Sequence, residues 1–172
     1  MEMKADRFIA APQDRVWAAL NDPATLQACL PGCESVERIS DSEMKATAQV
    51  KLGPVSAKFA GRVTLSDIDP PHGCVIRGEG QGGAAGFAKG EARVQLAPRD
   101  GGTLLSYAVK AQIGGKLAQI GSRLIDVGAK TMADQFFRCF AERLEKPAVT
   151  EIPSQSLWAR ILGALKRLFT RA

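Results

Sequence analysis

The 172-residue sequence predicts an α+β domain in which a meander of antiparallel strands carries segregated helices on one face. Three observations predict it. Between Pro31-Gly32 and Ile113 apolar and polar residues alternate with period two, interrupted by Gly, Pro and Asp clusters. Two short helical segments precede that stretch. From Gly114 to Leu144 the period changes to 3.6, as in a long amphipathic helix.

Each element follows from its residues. Met3 to Ile9 alternates weakly and opens the fold as a strand. Pro12 to Leu20 reads as a short helix with proline near its first turn, and Asn21-Asp22-Pro23 stops it and starts a second, Ala24 to Cys29, closed by Pro31-Gly32. Met44 to Leu52 alternates for nine positions, Gly53-Pro54 turns the chain, and Val55 to Leu65 repeats the pattern. After Asp69-Pro70-Pro71-His72-Gly73 come strands around 74–81, 87–97 and 103–113, with Pro98 to Gly102 between the last two. The sheet therefore has about six to seven strands.

On the long helix, Gly114, Leu117, Gly121, Leu124, Ile125, Gly128, Met132 and Cys139 share one face, opposite Lys116, Arg123, Asp126, Lys130 and Asp134. An interior glycine costs about 1 kcal/mol relative to alanine, so Gly121 and Gly128 require either close backbone approach or open space. The sheet poses the same alternative. Its inward phase contains Ala46, Ala48, Ala57, Gly61, Gly78, Gly80, Ala88, Gly90, Ala92 and Ala111. Small residues on both layers cannot fill a thick interior at native density, and an aromatic content of 6% leaves few side chains to plug it. An apolar cavity is expected, walled by Phe59, Leu65, Ile76, Gly78, Ala92, Val109, Leu117, Gly121, Ile125, Gly128 and Met132, with Tyr107 pointing inward. A buried phenol needs a hydrogen-bond partner. Either the backbone or water satisfies Tyr107, or the hydroxyl orients a ligand carbonyl such as that of a quinone.

The inventory for catalysis is thin. The single histidine, His72, sits in a Pro-Pro-His-Gly turn and is expected in solvent, as are Glu79 and Glu91, which alternate with small inward residues. Gly78-x-Gly80-x-Gly82-Gly83 lacks the Lys-Ser/Thr and strand-to-helix context of a phosphate loop and reads as a strand end with a rim loop at 82–86. No catalytic residue and no metal site is assigned. Cys29, Cys33, Cys74 and Cys139 lack zinc-ligand spacing and read as small thiols in a reduced compartment. The charged N-terminus MEMKADRF is unlike a signal peptide, and no apolar run approaches the length of a membrane span, so a cytoplasmic location is expected.

The net charge of +5 is concentrated at one end: Arg160, Lys166, Arg167 and Arg171 fall in 155–172 with no acidic residue. The body carries no basic stripe interleaved with aromatics, which argues against nucleic acid as a partner. Residues 1–146 form the domain, 147–156 a Pro-containing linker, and 157–172 a basic amphipathic helix. Trp158, Ile161, Leu162, Leu165, Leu168 and Phe169 line one side of that helix and Arg160, Lys166, Arg167 and Arg171 the other, the pattern of a segment lying in a membrane interface. Basic residues near an anionic surface contribute about 1 kcal/mol each. Docking back on the domain or into a partner's groove are the alternatives.

Several spaced motifs carry a family resemblance over residues 1–144: Ala11-Pro12-x-x-x-Val16-Trp17-x-x-Leu20-x-Asp22-Pro23, Cys29-Leu30-Pro31-Gly32, Val50-Lys51-Leu52-Gly53-Pro54-Val55, Gly114-Gly115-Lys116-Leu117-Ala118-x-x-Gly121 and Phe136-Phe137. Their order resembles the carbon monoxide dehydrogenase G-subunit family, within the START-like (SRPBCC) superfamily. The resemblance implies a helix-grip fold, in which a long C-terminal helix closes a curved sheet around an apolar pocket. It further implies a non-catalytic accessory protein of a molybdenum-containing dehydrogenase, peripheral on the inner face of the cytoplasmic membrane and proposed to recruit the enzyme or handle its quinone acceptor. A hydrophobic small molecule, quinone or lipid-like and not covalently held, is the ligand it implies. A ligand-free recruitment scaffold and a superfamily enzyme of cyclase or hydratase type are the other classes.

Overall fold

The computed structural model describes residues 1–146. Strands β1 (Glu2–Ile9), β2 (Cys33–Ser40), β3 (Glu43–Leu52), β4 (Val55–Asp69), β5 (Gly73–Gln81), β6 (Phe87–Arg99) and β7 (Gly102–Gly114) form one antiparallel sheet in the order β1-β7-β6-β5-β4-β3-β2. Helices α1 (Gln13–Leu20) and α2 (Pro23–Cys29) carry the chain from β1 to the opposite edge strand. The remaining strands then follow one another back across the sheet until β7 pairs with β1, Ala5 opposite Tyr107. With α4 (Ser122–Glu145) following, the architecture is the expected helix-grip α+β fold.

Bulges supply the curvature. Pairing slips between Cys33 and Ser35, between Arg38 and Ser40, and between Ser66 and Asp69. In the last of these Asp67 takes φ 48°, a conformation that a short polar side chain tolerates. The sequence reading placed no strand at Cys33–Ser40; the irregular β2 found there has no clean alternation of burial for a period of two to reveal. At the start of α2, Asp22 accepts from the Thr25 backbone N–H at 2.9 Å and from its hydroxyl at 2.6 Å. The Thr25 hydroxyl is the largest influence holding that carboxyl below its ordinary range.

The stretch Gly114 to Leu144 departs from the single helix expected. Gly114 ends β7, Lys116–Gln119 makes one turn, α3, and α4 starts afresh at Ser122. The break is at Gly121, whose φ of +94° lies outside the helical range and strains any residue with a Cβ. Wheel periodicity survives such a break because α3 and α4 each place apolar residues inward: Leu117 and Ile125 are both buried.

Three apolar clusters hold the layers together. The main one lies under the C-terminal half of α4, where Phe140, Ile9, Leu105 and Val16 are at most 1% exposed. Thr103, also wholly buried, donates its hydroxyl to the Ala11 carbonyl at 2.7 Å. Beneath α3, Phe59, Ala85 and Leu117 form a second cluster, which anchors the 82–86 rim loop. Met44, Leu65 and Cys74 form a third on the sheet, with Trp17 reaching both this cluster and the first.

Cys29 and Cys139, expected as separate thiols, are disulfide-bonded, tying the end of α2 to α4 across a sequence separation of 110. Cys33 and Cys74 are free, and burial pushes both thiols up from their ordinary range.

Candidate functional site

Between the sheet and α4 the clusters leave a cavity of about 400 Å³. Its floor is built by register. Met3, Val109, Ala92, Ile76 and Leu65 lie opposite one another on successive strands, and the next row runs Ala111, Gly90, Gly78, Val63 and Met44. In the first row Ala92 is the one small residue, flanked by Val109 and Ile76, whereas the middle of the second, Gly90 and Gly78, is nearly bare. A Cβ added at Gly78 would meet nothing within 4 Å. The roof is Met132, Ala133, Phe136 and Phe137 of α4, and Leu26, Leu30 and Pro31 close one side.

The wall has almost no polarity. Among the described residues Tyr107 is the only lining side chain that carries an oxygen or nitrogen, and Phe137 stacks on its ring at 5.2 Å between centroids. Phe136 meets Phe137 edge-on at 5.1 Å and stacks on Phe140 at 5.4 Å, so the roof is continuous with the main core.

Of the residues expected at the wall, Leu65, Ile76, Ala92, Tyr107, Val109 and Met132 lie on the cavity, with Gly78 in the floor row beside it. The others lie elsewhere. Phe59 and Leu117 pack together in the cluster under α3. Ile125 is buried in the first half of α4 without lining the cavity, and Gly121 caps that helix. Gly128 answers to close approach: a Cβ there would sit 2.0 Å from Leu52 Cδ1. Its neighbours Leu124, Val127 and Met132 are exposed and border an outer groove of about 610 Å³ with Leu52 and Pro31. Met132 and Pro31 line both hollows, so the groove and the cavity adjoin there. Trp158 to Arg171 lie outside the described residues.

Two charged residues beside the cavity's roof escaped the sequence reading. Arg7 follows Met3 and Ala5 in the inward phase of β1, and Asp134 of α4, assigned by the wheel to the outer face, is ion-paired with it. The Arg7 guanidinium lies 5.4 Å from the Phe137 centroid. The signal that could have found Arg7 is a charged residue in an otherwise apolar period-two row.

The larger concavity on the opposite face of the sheet has a different character. Arg77 pairs with Glu91 at 2.9 Å, and Lys110 lies 3.6 Å from Glu2, both pairs exposed, as on a solvated mixed-charge surface. His72 is 64% exposed, 3.4 Å from the Asp69 carboxylate. Among the described residues no cluster of His, Cys, Asp and Glu is arranged to hold a metal ion.

The fold recurs widely among solved structures. A conserved protein from Geobacillus kaustophilus shares 31% identity at a TM-score of 0.80, over 85% of this chain and 96% of that one. Ara h 8.0201, at 12% identity and TM-score 0.60, matches over 86% of this chain and 99% of its own. The di-domain ARO/CYC protein BexL from the BE-7585A biosynthetic pathway matches at 14% identity and TM-score 0.62, over 86% of this chain and 50% of its own. At such identities the last two likenesses speak for the fold alone. No curated protein matches in sequence. The family model for the carbon monoxide dehydrogenase G subunit (CoxG) covers residues 7–145, nearly the whole of the domain just described, and the chain belongs to that family.

Proposed function

We propose that this protein is a non-catalytic accessory to a carbon monoxide dehydrogenase-type molybdenum hydroxylase, that it carries an apolar ligand, a quinone or lipid-like molecule, in the cavity under α4, and that its C-terminal segment tethers it to the inner membrane face. Family membership supports the accessory role. The observation that carries the ligand reading is the cavity of about 400 Å³, within the size range of small-molecule sites and lined almost wholly by hydrocarbon. Burying a ligand there gains roughly 25 cal/mol per Å² of apolar surface removed from water.

Ala92→Phe is the direct test of the cavity. Ala92 sits mid-floor between Ile76 and Val109, so the ring enters open space rather than a packed core. The expected result is a loss of at least roughly tenfold in affinity for decylubiquinone, about 1.4 kcal/mol, with the melting temperature within a few degrees of the parent. Absence of saturable binding of any apolar ligand by the unsubstituted protein would leave a recruitment scaffold instead.

The membrane reading rests on the sequence pattern of 157–172, which lies outside the described residues. No helix among the described residues is long and apolar enough to cross a membrane, so the tail is the candidate for contact with lipid. Deleting 155–172 is expected to abolish co-sedimentation with phosphatidylglycerol-containing vesicles. Unchanged sedimentation would exclude the tether.

A further inference from the structure

The gap between α2 and α4 is bridged by a covalent bond. Where the cavity adjoins the outer groove, Pro31 lines the boundary from the α2 side and Met132 from α4. Cys29 lies just before Pro31 in sequence, and Cys139 lies about 10 Å beyond Met132 along the helix. The Cys29–Cys139 disulfide therefore limits how far that gap can widen.

Little else ties the two helices. Among the described residues no ion pair joins α2 to α4. The polar ties on the α2 side run to the edge strand β2 instead. Gln27 donates to the Glu34 carbonyl at 3.0 Å, and Arg38 donates to the carbonyl of Asn21, just ahead of the helix. Leu26 packs on the sheet, against the cluster of Met44, Leu65 and Cys74. β2 is paired on one side only and slips twice against β3, so this edge yields more readily than the middle of the sheet. Across the gap, Phe136 to Leu144 fastens one end of α4 to the main core, while the part before Phe136 spans the bare floor.

The two cysteines differ in access. Cys29 is 4% exposed, whereas Cys139 is partly open to solvent. An incoming thiolate therefore attacks Cys139 Sγ. When a dithiol does so, the bond between the two cysteines breaks, and Cys29 leaves as a thiolate and takes a proton. The reductant's second sulfur then displaces Cys139 from the mixed disulfide. Two electrons and two protons pass to the cysteine pair, and the reductant is left as its own disulfide. The released Cys29 thiol stays in the main apolar cluster, a setting that suits a small thiol. Reduction thus turns a fixed clamp into a contact that opens and recloses. We infer that the Cys29–Cys139 disulfide is a redox latch on the cavity: intact, it holds α2 against α4 and slows the passage of an apolar ligand, and once cut by a dithiol it lets the ligand pass.

This inference rests on the ligand-carrying reading above, and the test separates the two. Full-length protein is loaded with diphenylhexatriene, which fluoresces in apolar surroundings, and release is timed by stopped flow against excess decylubiquinone as a non-fluorescent competitor. Dithiothreitol is expected to quicken release about fivefold or more. Uptake should quicken in step and leave the dissociation constant within about threefold, because a gate alters both rates whereas a damaged pocket alters affinity. The near-ultraviolet circular dichroism should keep its native form. A Cys33→Ser, Cys74→Ala variant, which retains only the cross-linked pair, should respond as the parent does. Cys29→Ser, Cys139→Ser should release quickly with or without dithiothreitol. Release unaltered in the parent, once alkylation and mass measurement show Cys29 and Cys139 reduced, overturns the latch while the cavity stands. So does weakened affinity with uptake unchanged, or loss of the near-ultraviolet signal on reduction, either of which makes the bond purely structural. Failure of diphenylhexatriene to bind in either redox state overturns the ligand-carrying reading itself.

Discussion

Phe140→Ala is expected to lower the unfolding free energy by about 3–5 kcal/mol, the range for truncating a buried aromatic side chain. Phe140 is wholly buried and packs against Phe136, with Ile9, Val16 and Leu105 in the same cluster. Little in that cluster can collapse into the space, because β1, β7 and α1 converge there. Met132→Ala, two turns earlier on α4, is the control. Its side chain is 36% exposed and faces the cavity, so removing it deletes few packed contacts and should cost under about 1 kcal/mol. Urea unfolding of both variants checks the pair. Similar losses would mean that the two halves of α4 are equally packed on the sheet, and that the hollow under Met132 is not one.

That contrast explains how a helix can be both structural and permissive. Phe136 to Leu144 fastens α4 to the main core, while the small floor residues leave the helix unsupported above Ala92 and Gly78. The floor was legible in the sequence because period two assigns each residue to a face, and side-chain size then follows from identity. Where α4 begins was not. Gly121 lies on the apolar stripe of the wheel whether it continues a helix or breaks it, and only its φ distinguishes the two. For the same reason Gly128 sat ambiguously between open space and close approach, until the position of Leu52 on β3 settled it.

The charged neighbours of the site were harder still. Asp134 belongs to the outer face by helical phase, yet α4 lies so that Asp134 reaches Arg7 at the sheet edge. Helical periodicity gives an angle about the helix axis and carries no information on which neighbouring strand lies within reach. Arg7 was legible as an anomaly of β1 alone; its counter-ion, Asp134, lies on α4, 127 positions later in the chain. The apolar part of the site is a property of local pattern. Its charged surroundings are a property of topology.

The same distance in sequence hid the Cys29–Cys139 pair, and breaking that cross-link gives the second large effect. With the partners 110 positions apart in sequence, the bond removes much of the freedom of the unfolded chain, and its loss is expected to cost about 2–4 kcal/mol. The Cα atoms lie 5.3 Å apart, within the range a disulfide requires. Peptide mapping without reductant should recover Cys29 linked to Cys139, and the unfolded chain should titrate two thiols, those of Cys33 and Cys74. Dithiothreitol should then lower the melting temperature of the parent and leave a Cys29→Ser, Cys139→Ser double variant unmoved, since that variant begins where the reduced protein ends. Four titratable thiols in the unfolded, unreduced protein would remove the cross-link from the fold. The consequence reaches the cavity, because Leu26 and Leu30 beside Cys29, and Phe136 beside Cys139, line it. Holding α2 against α4 fixes the separation of one side wall from the roof.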